Sequence, residues 1–106
     1  MNAPSPAVLI VEDEKLIRRF VRASLEEEGC RVYEAGTCAD GLLEAGANKP
    51  DLIVLDLGLP DGNGLDLLPL LTEEDGRTIP VIIYSAQDMD REAALIAVRR
   101  AVLRPG

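Results

Sequence analysis

Acids at the ends of apolar runs are the residues of this sequence best suited to chemistry. Leu52-Ile53-Val54-Leu55 ends in Asp56, and Ala7-Val8-Leu9-Ile10-Val11 ends in Glu12-Asp13. A third run, Ile79-Pro80-Val81-Ile82-Ile83-Tyr84, ends in Ser85. If the first two runs are neighbouring strands, their carboxylates converge. Carboxylates held close together repel unless a proton or a cation intervenes. An all-oxygen site with waters suits Mg2+ better than Zn2+, whose usual ligands are His and Cys. The residues therefore point to a small Mg2+ site beside a nucleophilic carboxylate. The blander reading is that strand-end acids are solvated or cap a helix. That reading fits Glu14, but two separate strand ends agree on Asp13 and Asp56.

Composition removes several competing chemistries. The chain has no His, which excludes His metal sites and His general bases. Cys30 and Cys38 fit no metal spacing and read as reduced thiols of a cytoplasmic protein. A formal net charge of −8 argues against direct binding to nucleic acid or to an anionic membrane. Trp is absent and there is one Phe, so base-stacking platforms are missing. No apolar run approaches the roughly 18 residues of a membrane span. Met1 to Pro6 lacks the features of a signal peptide and reads as a short disordered lead-in. Residues 7–106 read as a single domain.

The elements that must position the acids follow from periodicity. Ala7 to Val11 is apolar without alternation, as in a central parallel strand covered on both faces. Leu16, Ile17, Phe20, Val21, Ser24 and Leu25 fall on one helical face, with Gly29 as the stop. Arg18, Arg19 and Arg22 lie around that helix and read as a solvated charged face rather than a docking surface. Arg31 to Ala35 is mixed in polarity and reads as an edge strand. Cys38 to Ala47 is a weak helix with Thr37 as N-cap, closed by Asn48-Lys49-Pro50. Leu52 to Asp56 is the third strand. Asp61-Gly62-Asn63-Gly64 looks like a hairpin turn, but its flanks do not alternate, so it reads as the lead into a third helix. Pro69 restricts that helix to a start near Leu67 or to a kink. Glu73 to Thr78 reads as a polar turn, Ile79 to Tyr84 as a fourth strand, Met89 to Arg100 as a helix and Ala101 to Leu103 as a brief fifth strand. Alternating strands and helices imply a doubly wound α/β fold with a parallel five-stranded sheet, and the flavodoxin-like order 2-1-3-4-5 would bring the acids together.

Three blocks of this sequence resemble the receiver domain of bacterial response regulators. They are Leu9-Ile10-Val11-Glu12-Asp13-Glu14, Pro50-Asp51-Leu52-Ile53-Val54-Leu55-Asp56-Leu57-Gly58-Leu59-Pro60-Asp61-Gly62-Asn63-Gly64, and Pro80-Val81-Ile82-Ile83-Tyr84-Ser85-Ala86. The chain looks most like receivers attached to winged-helix transcription factors. The resemblance implies that Asp56 accepts a phosphoryl group from a sensor histidine kinase or a phosphotransfer protein. It implies that Asp13, Asp56 and the Gly58 carbonyl hold Mg2+, with Glu12 acting directly or through water. Ser85 would contact the phosphoryl group and move with it, and small Ala86 would leave room for it. The protein would be no enzyme in the usual sense, beyond Mg2+-dependent self-phosphorylation and dephosphorylation.

The C-terminal part departs from the family pattern. The family carries a lysine before a proline at the end of strand five. This chain has only Lys15 and Lys49, so Arg104, before Pro105, is the nearest substitute. The segment from Ser85 to Arg104 is shorter than usual, and Ala101 to Leu103 are aliphatic where the family has an aromatic switch residue. The last helix is missing, so the receiver reads as incomplete at its C-terminus. A partly bare sheet face predicts a homodimer, another partner or a missing output domain, and an isolated chain that self-associates or is marginally stable. These departures support an alternative, a degenerate receiver that serves as a phosphorylation-independent interaction module. A Mg2+-dependent phosphatase with an aspartyl nucleophile fits poorly, because 106 residues leave no substrate-specificity domain.

Overall fold

The computed structural model describes residues 5–56, 58–63, 69–70, 73–74 and 77–84. In chain order the elements are β1 (Ala7–Val11), α1 (Lys15–Glu27), β2 (Arg31–Ala35), α2 (Cys38–Asn48), β3 (Leu52–Asp56), β4 (Gly58–Leu59), β5 (Gly62–Asn63), β6 (Glu73–Glu74), β7 (Arg77–Thr78) and β8 (Val81–Tyr84). The main sheet is parallel, in the order β2-β1-β3-β8. This is the predicted flavodoxin-like order for the four longer strands. The expected fifth strand and the helix expected over 89–100 lie outside the described residues, as does nearly all of the expected third helix.

The central strands lack alternation because both their faces are covered. Val8, Ile10, Leu52 and Val54 pack with Ile17, Val21 and Leu25 of α1. Leu9, Val11, Ile53 and Leu55 pack on the other face with Ala45 of α2. Every residue of β1 and β3 is buried, whereas β2 is mostly half-buried, as its edge position requires. Asp51 clasps the start of this pair. Its carboxylate accepts from the Ala7 amide at 2.8 Å, and its own amide donates to the Ala7 carbonyl at 2.7 Å. The register of β1 on β3 is thereby fixed from its first residue. At the chain's beginning, the Pro6 carbonyl accepts from the Arg31 amide at 2.9 Å, so the end of the expected lead-in is bound to β2.

Helix α1 departs from expectation on one flank. Ile17, Val21, Ser24 and Leu25 are buried, but Leu16 is 66% exposed and Phe20 is 46% exposed. Each precedes a buried residue by one position, about 100° around the helix. The stripe facing the sheet is too narrow to include them. The helix stops as expected at Gly29, which adopts φ 86°. The Gly29 amide donates to Glu26 and the Cys30 amide to Leu25, both at 3.0 Å, a Schellman arrangement. Cys30 and Leu25 pack in one cluster beneath it, and burial pushes the Cys30 thiol up, with Glu28 adding to the shift. Gly29→Ala should cost about 1–2 kcal/mol, read as a lower melting temperature, because a Cβ disfavours the left-handed conformation.

Helix α2 begins at its predicted cap, where Thr37 Oγ1 accepts from the Asp40 amide at 3.1 Å. It ends at Lys49, whose φ of 46° turns the chain towards Pro50. The stretch after β3 differs from the sequence reading. β4 and β5 pair antiparallel, Gly58 opposite Asn63 and Leu59 opposite Gly62. Residues 58–63 therefore form a small hairpin, an element that the sequence reading did not place. Pro60 and Asp61 make its turn, where Pro pre-sets φ. Leu59 is buried in the α2-side core, which anchors one arm. The polar turn expected over 73–78 is a second short hairpin, Glu73 opposite Thr78 and Glu74 opposite Arg77.

Candidate functional site

Strand register brings the acids together. Val8 lies opposite Leu52 and Val11 opposite Leu55, so the next step in each strand is Glu12 beside Asp56. Side chains alternate along strands, so Glu12 and Asp56 project to the same side as Val8, Ile10, Leu52 and Val54. Asp13 follows in the β1–α1 turn. Carboxylate oxygens of Glu12, Asp13 and Asp56 lie within 4.8 Å of one another. Glu12 is 0% and Asp56 3% exposed, while Asp13 faces solvent. The cluster thus has two buried walls and one open side.

The two buried carboxylates each accept from a backbone amide two residues on. The Glu12 amide donates to Ala35 of β2 at 2.9 Å, and Glu12 Oε2 accepts from the Glu14 amide at 3.1 Å. Asp56 Oδ1 accepts from the Gly58 amide at 3.1 Å, which folds the chain back immediately after the strand. Glu14 stands at the N-cap of α1 without a side-chain cap bond, and is exposed, as its solvated reading requires. The three acids form a donor set of hard oxygens only, and their spacing fits a cation that binds carboxylates and water. The fit to Mg2+ rests on that chemistry.

The other predicted residues divide into two groups. Gly58 sits beside Asp56, as the sequence places it. Asp56 pairs across β3 and β8 with Tyr84, the residue before Ser85. Ser85, Ala86 and Arg104 lie outside the described residues.

Three supporting residues escaped the sequence reading. Arg18 Nη1 donates to the Glu12 carbonyl at 2.8 Å, and its Nε is 3.3 Å from Glu34 on β2. Arg22 also pairs with Glu34, which raises its pKa further, and lies 3.4 Å from Glu26. The α1 arginines taken for a solvated face therefore include two that tie the helix to β2. Only a helix–strand register could have shown this. Arg18→Met should cost about 1–2 kcal/mol by thermal denaturation, since a charged donor to a carbonyl is lost. The third residue is Asp61. Its Oδ1 accepts from the Cys38 amide at 2.7 Å and its Oδ2 from the Ala39 amide at 3.1 Å. Those bonds, the Cys38 one foremost, hold its carboxyl below the usual carboxylate range. The stabilising contribution of these bonds is fully present above the ordinary carboxylate pKa and is lost progressively as the pH falls from there through the depressed value.

Comparison with known proteins agrees with this geometry. The family model for the response regulator receiver domain matches residues 8–102. KDP operon transcriptional regulatory protein KdpE of Escherichia coli (strain K12) is 54% identical over 92 residues, covering 85% of this chain and 40% of the relative. Alkaline phosphatase synthesis transcriptional regulatory protein SphR of Synechococcus elongatus is 38% identical over 102 residues, covering 85% of this chain and 38% of the relative. This chain thus spans about two fifths of the length of these curated relatives. The non-phosphorylated HemR receiver domain of Leptospira biflexa superposes with a TM-score of 0.80 at 27% identity, covering 96% of this chain and 99% of that one. With a parallel sheet in receiver order and an acidic cluster at the ends of its two central strands, the chain belongs to the family of response regulator receiver domains.

Proposed function

We propose that Asp56 is the phosphoacceptor of a two-component signalling protein, charged from a sensor histidine kinase or a phosphotransfer protein in the cytoplasm. The observation that carries this reading is the convergence of Glu12, Asp13 and Asp56 at the end of a buried β3. Mg2+ would be held by Asp13, Asp56 and the Gly58 carbonyl, with Glu12 acting directly or through water. When bound, it supplies positive charge that offsets repulsion between the carboxylates and an incoming phosphoryl group. The chain's own residues do the rest. An Asp56 carboxylate oxygen attacks phosphorus, and a new O–P bond forms. The bond from phosphorus to the donor's leaving atom breaks, and its electron pair departs with the donor. Phosphoryl transfer depends mainly on positioning and charge neutralisation, so a strand fixed on both faces suits the acceptor.

Ser85 and Ala86 follow β8 directly and are proposed to contact and accommodate the phosphoryl group. Arg104 is proposed as the cationic partner, where its planar fork would replace a compact ammonium. We assign residues 7–106 to the receiver, with the output carried by a further segment or partner. The only catalysis assigned to it is its own phosphorylation and dephosphorylation.

The test is incubation of the folded protein with a small phosphodonor, with and without Mg2+, followed by intact mass measurement. A phosphoryl adduct that requires Mg2+ is expected. A folded protein that takes up no phosphoryl group with Mg2+ present would contradict the proposal and favour the interaction-only alternative.

A further inference from the structure

We propose that Asp61 is a positioning residue that fixes the β4–β5 hairpin against α2 and so holds the Gly58 carbonyl beside the acidic cluster. The role rests on the metal reading of that cluster. Asp61 is remote in sequence from Cys38 and Ala39, and accepts from both of their amides with one carboxylate. Cys38 and Ala39 are the first two residues of α2, and their amides have no partner within the helix. Thr37 takes the Asp40 amide with its side chain and the Gly41 amide with its carbonyl. The first turn of α2 is therefore capped by two residues, one local and one borrowed from the hairpin.

The hairpin needs this attachment. It contains only two residue pairs, and an isolated two-stranded ribbon is marginal even when longer. Its first arm is held at Asp56 through the Gly58 amide and by Leu59 in the core. Its turn is held at Asp61, through both leading amides of α2. Gly62 sits close enough that a Cβ there would lie 3.5 Å from Cys38 Sγ, so the hairpin abuts the start of α2. Gly58 itself is exposed. Releasing Asp61 should therefore let the Gly58 peptide turn, while β3 keeps Asp56 in place.

The experiment compares the wild-type chain with Asp61→Ala, Asp61→Asn and Thr37→Ala. Two quantities are measured: amide hydrogen exchange over 58–63 without metal, and Mg2+ affinity by calorimetric titration. Asp61→Ala should speed exchange over 58–63 and weaken Mg2+ binding about tenfold, the low end of losses seen when support of a metal ligand is removed. Asp61→Asn keeps one acceptor oxygen and should fall between, and it serves if the Ala variant does not fold. Thr37→Ala also uncaps α2 but leaves the hairpin attached, so Mg2+ affinity should be unchanged. Wild-type affinity in Asp61→Ala, or an equal loss in Thr37→Ala, would overturn the positioning role alone. A wild type that binds no Mg2+ would overturn the metal reading and this role with it.

Discussion

Asp56→Asn should give no phosphoryl adduct under conditions where the wild type is labelled, and should still fold. A carboxamide lacks the anionic oxygen that attacks phosphorus. Its carbonyl can still accept from the Gly58 amide, so the turn after β3 persists. The substitution also removes one of the three neighbouring negative charges. Without metal, the variant should therefore be as stable as the wild type or more so, by roughly 1 kcal/mol. Loss of labelling together with unchanged or raised melting temperature would separate chemistry from folding. A destabilised Asp56→Asn would mean that the cluster is not repulsive as built.

Asp13→Asn should weaken Mg2+ binding by about thirtyfold, or roughly 2 kcal/mol, which is about half the attraction between two unit charges some 4 Å apart near a surface. Asp13 is exposed and belongs to the turn before α1, so the change should barely affect stability. Its effect on labelling by a small donor should disappear when Mg2+ is raised to compensate. The contrast with Asp56→Asn is the informative part. One variant loses the acceptor at any Mg2+ concentration, and the other loses only affinity for the ion. Calorimetric titration of both variants beside the wild type checks this. Equal Mg2+ affinity in Asp13→Asn would remove Asp13 from the site.

What was legible in the sequence was whatever depends on short range. The unalternating runs Ala7 to Val11 and Leu52 to Asp56 gave two covered strands, and the structure buries every residue of both. Thr37 and Gly29 marked helix ends through capping chemistry that needs only neighbouring residues. Asp13 and Asp56 could be placed together because parallel neighbours in register must bring their ends together. The misreadings came from decisions made between elements. Leu16 and Phe20 have the right residue type for a core, but the face of α1 that meets the sheet is too narrow to include them. The hairpin at 58–63 lacks alternation because its stability comes from Leu59 in the core and from Asp61 on α2. Arg18 and Asp61 support the site through partners on other elements, and no local pattern encodes such bonds. Asp61 could have been sought by asking which helix-terminal amides lacked a local partner.

Locating the phosphoryl group within the chain tests the central claim most directly. The wild type would be labelled with a small phosphodonor and Mg2+, digested, and its peptides fragmented by tandem mass spectrometry. The account predicts the phosphoryl group on Asp56. A label on any other residue, or folded protein without label in the presence of Mg2+, would contradict it.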